Sequence, residues 1–297
     1  MDGSFLMKKK KALSMVFEEQ QFSMMEINVH ASRFEPTVMN SYSLEERTLV
    51  QHLETRGGIV YSRNTAVVGV LNHRYYQLFQ LKRPPANVAD LQNCVAVQLG
   101  EKVAFPMHEV IFEIFESALP AYVFVIALHQ PLVSSLVSQV KDSPCNLVKL
   151  VPTELALTEA LAYAYPDQQK IAYIYVEDEM LRIILVVNKL LVSACVLLNH
   201  IDVSSLDDTL VVNTILLNVE SVLNKLKQND AMLAGDDFVF CYSCDKKYNV
   251  LFEKLSGELS SLSVFEFNQA MAMRIDEGSD GGIRYLMALG GAINAVH

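Results

Sequence analysis

A mixed α/β fold is what this sequence predicts, because short apolar segments typical of strands alternate with longer segments of helical periodicity. The clearest helix is residues 208–227, where apolar side chains recur at 3.6-residue spacing and Asp207 or Asp208 can cap the N-terminus. That stripe is interpreted as core. At 297 residues, 51% of them hydrophobic, the chain is long enough to bury one large core or two medium cores.

The strands are predicted from short runs rich in β-branched, aromatic and aliphatic residues that end at turn-forming residues. In chain order they are residues 14–17, 22–29, 65–71, 75–81, 110–115, 122–128, 146–151, 171–176, 183–187, 191–197, 238–242 and 264–267. The longest apolar tract, residues 183–198, is interrupted by Asn188 and Lys189. It is shorter than the roughly 20 residues that span a bilayer. It is therefore predicted as two strands joined by a tight turn.

The helices are predicted where apolar residues return every three or four positions. In chain order they are residues 44–55, 88–102, 132–141, 153–164, 208–227 and 250–259. Pro84, Pro85 and Pro144 lie between predicted elements, where proline commonly ends regular structure.

The charge of the chain argues against a general nucleic-acid-binding protein. The formal net charge is −10 and the sequence pI is about 5.2. Neutralising phosphates requires clustered lysine and arginine, and an acidic balance of this size opposes it. The composition favours a soluble protein with protein partners.

The cysteines indicate a reducing compartment, because there are 5 of them, scattered through predicted strands and helices. Cys241 and Cys244 form a C-x-x-C pair, which could be a redox pair or half of a zinc site. No second C-x-x-C or closely spaced histidine pair supplies further ligands. Because the pair follows a predicted strand and does not open a helix, it is interpreted as coincidence, and no metal site is predicted.

The N-terminal segment has two interpretations. The lysine run at residues 8–11 could contact an anionic membrane surface, where each lysine contributes about 1 kcal/mol. The favoured interpretation is a disordered, solvated N-terminus over residues 1–12. No signal peptide is predicted, because the polar residues 18–21 interrupt the following apolar stretch.

No catalytic centre is predicted. The 7 histidines are dispersed, and the sequence contains no H-E-x-x-H, G-x-S-x-G, Walker or G-x-G-x-x-G motif. We therefore expect a protein that is not an enzyme.

Three segments carry a resemblance to a known family. Residues 13–27, LSMVFEEQQFSMMEI, resemble the first strand, turn and strand of the PilM, MshI and GspL group of pilus and type II secretion proteins. In nucleotide-binding members this segment reads roughly GIDIGSSSIKVVEL. The alignment places Val16 at the aspartate, Glu18 at a glycine, and Glu19, Gln20 and Gln21 at the serines. Carboxylates at such a turn would repel a phosphate, and side chains would block the close approach that glycine allows.

The second and third segments have lost the same chemistry. Residues 171–198 resemble the second strand-turn-strand of the family, but the turn reads Glu177-Asp178-Glu179 where Asp-x-Gly is expected. These acids could hold a divalent ion, although a solvated turn is the favoured interpretation. Residues 238–259 resemble the segment that packs against adenosine, in which Ser243 is kept while Cys244 and Asp245 replace glycines.

Further similarity follows in the expected order along the chain. Residues 81–114, and above all 105–110, are similar to a family segment of the form "yiPfpleevvld". Residues 288–293, which contain Gly290 and Gly291, resemble a terminal helix in which small residues permit close packing. The similarity runs from about residue 13 to residue 296, and the evidence for it is that the segments follow one another in the family's order.

The resemblance implies an actin-like ATPase fold made of two ribonuclease-H-like lobes, with a small α+β subdomain inserted in the first lobe. The first lobe would comprise residues 13–72 and 145–165, the inserted subdomain residues 73–144, and the second lobe residues 166–297. The nucleotide cleft would be degenerate, so that no cofactor is expected. The alternative is an actin-like protein that still binds or slowly hydrolyses ATP with substituted residues.

The resemblance also implies a function and a location. The expected protein is a non-catalytic cytoplasmic scaffold of an MSHA-like type IV pilus machine, closest to MshI or PilM, and peripheral at the inner membrane. It would bind the cytoplasmic tail of a PilN-like inner-membrane protein and link that protein to the assembly ATPase. A second alternative is the cytoplasmic domain of a GspL-like type II secretion protein.

The partner is expected in a groove between the first lobe and the inserted subdomain. An extended peptide could gain main-chain hydrogen bonds there from a strand edge, with apolar pockets for its side chains. The residues assigned to this role are Tyr76, Leu78, Phe79, Leu81, Phe105 and Pro106. The other interpretation is that these residues form the core of the subdomain.

Overall fold

The computed structural model describes residues 10–18, 21–30, 33–43, 48–54, 65–85, 88–143, 145–202, 209–229, 238–243, 248–259, 262–264 and 282–294. These residues form three sheets and several helices, in the mixed α/β arrangement that the alternating sequence pattern predicts. Of the predicted disordered segment, residues 1–9 lie outside the described residues, and the prediction is wrong for residues 10–12, which pair with β2 as the start of a strand.

The first sheet has five strands in the order β3-β2-β1-β4-β8. The strands are β1 Lys10–Phe17, β2 Gln21–His30, β3 Arg33–Ser43, β4 Ala66–Leu71 and β8 Asn146–Pro152. β1, β2 and β3 pair antiparallel, whereas β4 pairs parallel with both β1 and β8. β4 is buried along most of its length, as expected of a central parallel strand.

The second sheet repeats this topology in the order β11-β10-β9-β12-β13. Its strands are β9 Lys170–Glu177, β10 Met180–Val187, β11 Leu190–Leu198, β12 Val239–Ser243 and β13 Leu262–Val264. Three antiparallel strands are again followed by two strands that pair in parallel on the side of the first strand. The tight turn predicted at Asn188 and Lys189 is confirmed, since Val187 pairs with Leu190.

The third sheet is small and antiparallel, in the order β5-β7-β6, and it lies between β4 and β8 in the sequence. Its strands are β5 Tyr76–Lys82, β6 Val110–Glu116 and β7 Tyr122–His129. It contacts the second sheet, because the amide of Gln80 donates to the carbonyl of Val192 over 3.0 Å. Its placement fits the predicted inserted subdomain, whose boundaries stay a prediction.

The helices follow the predicted order. They are α1 Leu49–Glu54, α2 Val88–Gly100, α3 Gln130–Lys141, α4 Thr153–Ala164, α5 Thr209–Asn229, α6 Asn249–Glu258 and α7 Gly282–Asn294. α4 and α7 lie between the two large sheets, where one continuous core includes Val70, Leu157, Tyr173 and Leu289. α5 and α6 pack on the other face of the second sheet. Within the described residues, no helix has the length and apolar character that crossing a membrane requires.

The close packing expected at the terminal helix is confirmed. A Cβ at Gly290 would lie 1.7 Å from the carbonyl oxygen of Ala156 in α4, and a Cβ at Gly291 would lie 2.4 Å from Oγ of Ser14 in β1. No side chain fits at either distance. The two glycines therefore let α7 lie directly against α4 and the first sheet.

Candidate functional site

Two of the turns predicted to form the degenerate nucleotide cleft face each other across the gap between the two large sheets. Glu18 follows β1 of the first sheet, and Asp178 and Glu179 form the turn between β9 and β10 of the second sheet. The pKa of Glu18 is raised by burial, opposed by the positive charge of Arg284 and raised further by the charge of Asp178. Asn72 joins the two turns, because its backbone N–H donates to the carbonyl of Phe17 over 3.3 Å and its Nδ2 donates to Oδ2 of Asp178 over 3.1 Å.

The β9–β10 turn is a two-residue hairpin loop, because Glu177 pairs with Met180. Asp178 and Glu179 both have positive φ, 49° and 64°, as a type I′ turn requires. Glycine and asparagine favour this conformation, and a glutamate does not. The turn therefore keeps the geometry of a glycine-containing loop while its side chains are acidic.

Asp178 is the centre of a polar contact between the two sheets. Its Oδ2 accepts a 3.1 Å hydrogen bond from Nδ2 of Asn72 and lies 2.9 Å from Nε of Arg74. The carbonyl oxygen of the Asn72 side chain also accepts from the backbone N–H of Arg74, over 3.0 Å. Because Asn72 and Arg74 follow β4 of the first sheet, these three residues close a ring of contacts across the gap. We call Asn72, Arg74 and Asp178 the intersheet clasp.

A buried ion-pair cluster lies beside the clasp. Nη2 of Arg182 in β10 is 2.9 Å from Oε1 of Glu154 at the start of α4, and Nη1 of Arg182 is 3.5 Å from Oε2 of Glu177. The side chains of Glu154, Glu177 and Arg182 are 0%, 4% and 11% exposed, so water screens this cluster little. Nδ1 of His73 is 3.2 Å from Glu177, which adds another contact between the sheets.

Neutral polar groups complete the cluster. The hydroxyl of Tyr76 donates to Glu154 and accepts from the backbone N–H of Thr153. The hydroxyl of Thr153 lies 3.0 Å from the carbonyl of Leu71 and 3.3 Å from Oε1 of Glu177. Both carboxylates are thus held by several groups at once, which is how buried charges are retained.

The pKa values report this environment. Burial raises the pKa of Glu154, although Arg182 and the hydrogen bond from Tyr76 oppose the shift. Burial also raises the pKa of Tyr76 and Tyr175, and the nearby carboxylates raise the pKa of Tyr76 further. For Arg182, burial works against the charged form, but Tyr175, Glu154 and Glu177 together raise its pKa. Arg182 therefore stays charged.

This arrangement is a poor phosphate site and a good structural contact. A phosphate placed between the facing turns would meet the carboxylates of Glu18, Asp178 and Glu177, which repel it. Two nearby cations are already engaged, because Nε of Arg284 lies 2.9 Å from Oε1 of Glu18 and Arg182 contacts Glu154 and Glu177. Among the residues that the structure describes, no group of three histidine, cysteine or acidic side chains is arranged to hold a metal ion.

The remaining predicted cleft residues are placed as follows. Val16 is fully buried in β1 and faces the core between the sheets, and Gln21 opens β2. Ser243 ends β12, beside Tyr175 of β9 in the sheet register. Glu19, Gln20, Cys244 and Asp245 lie outside the described residues.

Four of the six residues assigned to the partner groove lie on β5 of the small sheet, whereas Phe105 and Pro106 lie in the segment between α2 and β6. Tyr76 and Leu81 are buried, at 5% and 3% exposure, and the Tyr76 hydroxyl binds Glu154, so the assignment of these two residues to a recognition surface is corrected to core. Leu78 and Phe79 are partly buried against the core. Phe105 stacks on His129 at a ring distance of 4.7 Å, and Pro106 is exposed.

A groove does exist where the first sheet meets α3, but other residues line it. Its volume is about 330 Å³, and one wall is formed by the end of β1 and the segment after β4 while the other is formed by α3. The lining residues are Phe17, Arg74, Tyr75, Leu132, Ser135, Leu136 and Gln139. We call it the α3 groove. Arg74 belongs both to this groove and to the intersheet clasp.

Solved structures resemble this architecture over nearly the whole chain. One chain of the PilM-PilN type IV pilus biogenesis complex is 14% identical with a TM-score of 0.64, and the match covers 96% of this chain and 98% of that chain. The cytoplasmic domain of EpsL, an inner membrane component of the type II secretion system of Vibrio cholerae, is 11% identical with a TM-score of 0.51, covering 94% and 95%.

A Bacteroides thetaiotaomicron protein with an actin-like ATPase fold and unknown function is 12% identical with a TM-score of 0.50, covering 90% and 94%. The chain has the actin-like ATPase fold. The fold class predicted from the sequence resemblance is therefore confirmed. At these identities the likeness establishes the fold, and neither a protein-family model nor a curated protein sequence matches the chain.

Sequence reasoning missed the cations of the site. Arg182 is the single charged residue of the buried strand β10, and Glu154 is the second residue of helix α4 and fully buried. An isolated charge in an apolar run is a signal for a buried ion pair, because such a charge needs a partner. The partners themselves, such as Arg284 for Glu18, are too distant in the sequence to be paired from it.

Proposed function

We propose that this chain is a non-catalytic scaffold of a type IV pilus assembly machine of the MSHA-like kind. In this role it binds the cytoplasmic tail of a PilN-like inner-membrane protein and links that protein to the assembly ATPase. It works in the cytoplasm, held at the inner membrane through its partners. The observation that carries the proposal is the intersheet clasp, in which the chain's own side chains occupy the place between the two turns.

The clasp supports a structural role for the cleft. Asp178 of the second sheet contacts Asn72 and Arg74 of the first sheet directly, so the chain's own side chains join the two sides of the cleft. The buried cluster of Glu154, Arg182 and Glu177 stabilises the same boundary, and breaking such a cluster to admit a nucleotide would expose charges whose partners are lost. A cleft held in this way favours a fixed scaffold over an ATPase cycle.

The α3 groove supports the partner assignment. It combines apolar walls from Phe17, Leu132 and Leu136 with the donors of Arg74, Ser135 and Gln139. An extended peptide needs this combination, because apolar side chains fill pockets while polar groups fix its register. The matching complex of PilM with PilN is the reason for proposing a PilN-like tail as the occupant.

A second candidate, a role in type II secretion, is supported by the similarity to the EpsL cytoplasmic domain. Both candidates predict a membrane-protein partner. The identity of the protein that contacts the α3 groove separates them.

The scaffold proposal predicts that nucleotide has no effect on stability. A ligand at about 100 times its dissociation constant stabilises the folded state by about 2.7 kcal/mol. We expect millimolar ATP with magnesium to leave the melting temperature unchanged, as measured by differential scanning fluorimetry and by calorimetric titration. A rise of several degrees that requires the γ-phosphate would favour the alternative, an actin-like protein that binds or slowly hydrolyses ATP.

The partner proposal is tested by site-specific photo-crosslinking. A benzophenone amino acid at Gln139, in the groove, should crosslink to the cytoplasmic tail of an inner-membrane protein in membranes of the source organism. The matched control carries the same group at Val97, which is exposed on α2 away from the groove. Mass spectrometry of the crosslinked peptide identifies the tail. Equal labelling from both positions, or labelling of periplasmic or soluble proteins alone, would reject the proposal.

A further inference from the structure

We infer that Asp178 is a positioning residue for the α3 groove: it holds Arg74 in place across the gap between the sheets, so that the groove binds its occupant only when the clasp is closed. The inference rests on the proposed function, because it concerns the regulation of the same groove. The second sheet, which carries Asp178, thereby takes part in binding at a groove that the first sheet and α3 form.

The first step is the double membership of Arg74. This side chain lines the α3 groove and also places Nε 2.9 Å from Oδ2 of Asp178. It is 50% exposed, so that its guanidinium can be reached from solvent while one edge contacts Asp178. Among the described residues that line the groove, Arg74 is the charged one.

The second step is that the clasp fixes Arg74 at two points. Asn72 accepts from the backbone N–H of Arg74 over 3.0 Å, and Asn72 also donates to Asp178 over 3.1 Å. Because Asp178 accepts from both residues, moving Asp178 away from the first sheet breaks both contacts and releases the Arg74 side chain. An arginine held before binding loses less conformational freedom on binding, which raises affinity.

The third step is the chemistry of the occupant. A guanidinium has donors and no acceptor, so the group it recognises must be an acceptor, and a carboxylate is the strongest one in a peptide. The groove walls formed by Phe17 and Leu132 supply apolar surface on either side. The structure thus assigns to the groove a peptide segment that presents an acidic side chain beside an apolar one.

The fourth step is that coupling must be reciprocal. If a closed clasp favours binding in the groove, an acceptor in the groove must stabilise the clasp by the same factor. The turn that carries Asp178 has positive φ at two residues other than glycine, which costs free energy unless the contacts of Asp178 offset it. The clasp is therefore an element whose population a bound segment can shift.

The test places a carboxylate in the groove covalently, without the partner. Ser135→Cys is alkylated with iodoacetate, which adds a carboxylate, or with iodoacetamide, which adds a neutral amide of nearly the same shape. Cys94, Cys195 and Cys244 are first replaced by serine. Cys145 and Cys241 are kept, because both are buried and burial raises the pKa of their thiols.

The readout is hydrogen exchange of the Arg74 Nε–H and the Asn72 side-chain amide, followed by NMR. We expect the carboxylate adduct to slow exchange at both groups by about fivefold or more relative to the amide adduct, the lower end of typical coupling between sites. In Asp178→Asn this difference should disappear. Glu179→Gln, in the same turn but pointing to His200, should keep it.

Equal exchange in the two adducts, or slowing that persists in Asp178→Asn, would overturn the inference. If Ser135→Cys fails to fold, Gln139→Cys, which lines the same groove, carries the same comparison.

The tail peptide identified by crosslinking gives a second measurement. Asp178→Asn should weaken its binding about fivefold or more, and Glu179→Gln should not. Slower hydrogen exchange in the carboxylate adduct without any crosslinked tail would support the coupling and reject the proposed PilN-like partner.

Discussion

The guanidinium of Arg182 lies 2.9 Å from the carboxylate of Glu154, and the two side chains connect the second sheet to the helix that follows the first sheet. Neither residue reaches bulk water to any useful extent, since Glu154 is fully buried and Arg182 is 11% exposed. The pair therefore depends on its own contacts and on those of Glu177, Tyr76 and Thr153.

Removing Arg182 alone should be strongly destabilising. Arg182→Met keeps much of the volume but leaves Glu154 and Glu177 buried without a cation, and breaking a buried pair in this way costs about 3–5 kcal/mol. Urea unfolding monitored by circular dichroism measures the loss. The matched variant Arg182→Met with Glu154→Gln should recover part of it, because one uncompensated charge is gone. A loss below about 1 kcal/mol in the single variant would show that the cluster is hydrated.

The contact between α7 and α4 gives a second prediction. Gly290→Ala should destabilise the fold by about 3 kcal/mol or more, since a Cβ there would lie 1.7 Å from the carbonyl oxygen of Ala156 and overpacking against backbone cannot relax. Gly257→Ala in α6 is the control, because a Cβ at that position has nothing within 4 Å. There the better helix propensity of alanine should stabilise by up to about 1 kcal/mol. Similar thermal shifts for the two variants would contradict the packing argument.

More of the fold than of the site could be predicted, because strands and helices depend on the pattern of residues that are neighbours in the sequence. The predicted strands at residues 22–29 and 122–128 agree closely with β2 and β7. Strand β3 was missed, because Arg33–Ser43 contains Pro36 and many polar residues. It lies at the edge of the first sheet, where a proline is tolerated since an edge strand has a side without ladder hydrogen bonds.

The site was only half predicted because its contacts join residues far apart in the chain. The acidic turns at Glu18 and at Asp178 were identified, and Asn72 bridges them through Phe17 and Asp178. Asn72 reaches Asp178 across 106 positions and Arg284 reaches Glu18 across 266. Nothing in local sequence selects these partners, whereas the topology that repeats in the two sheets brings them together.

The turn between β10 and β11 offers a stabilising change. Asn188 and Lys189 both have positive φ, 50° and 67°, and the pair Asn-Gly is the preferred sequence for such a type I′ turn. Lys189→Gly should raise the free energy of unfolding by about 0.5–1 kcal/mol, because relief of the left-handed strain exceeds the added freedom of the unfolded chain. Lys189→Ala removes the same charge but keeps a Cβ, and it should give no gain. A gain from alanine equal to that from glycine would assign the effect to charge.

Glu18 gives a prediction about pH. Burial raises its pKa above the usual 4.5, and Arg284 offsets this only in part. Between the unfolded and native pKa values of Glu18, the native state holds a proton that the unfolded chain has released. The contribution of Glu18 to stability is therefore largest below about pH 4.5 and falls as the pH rises through the native pKa. Glu18→Gln cannot titrate there. The free energy of unfolding of the wild type relative to that of Glu18→Gln, measured by urea unfolding, should therefore decline as the pH increases from about 4 to 7. Glu253→Gln on α6 is the control for the loss of one charge. A relative stability that rises over this range would mean that Arg284 outweighs burial and that the native pKa is lowered.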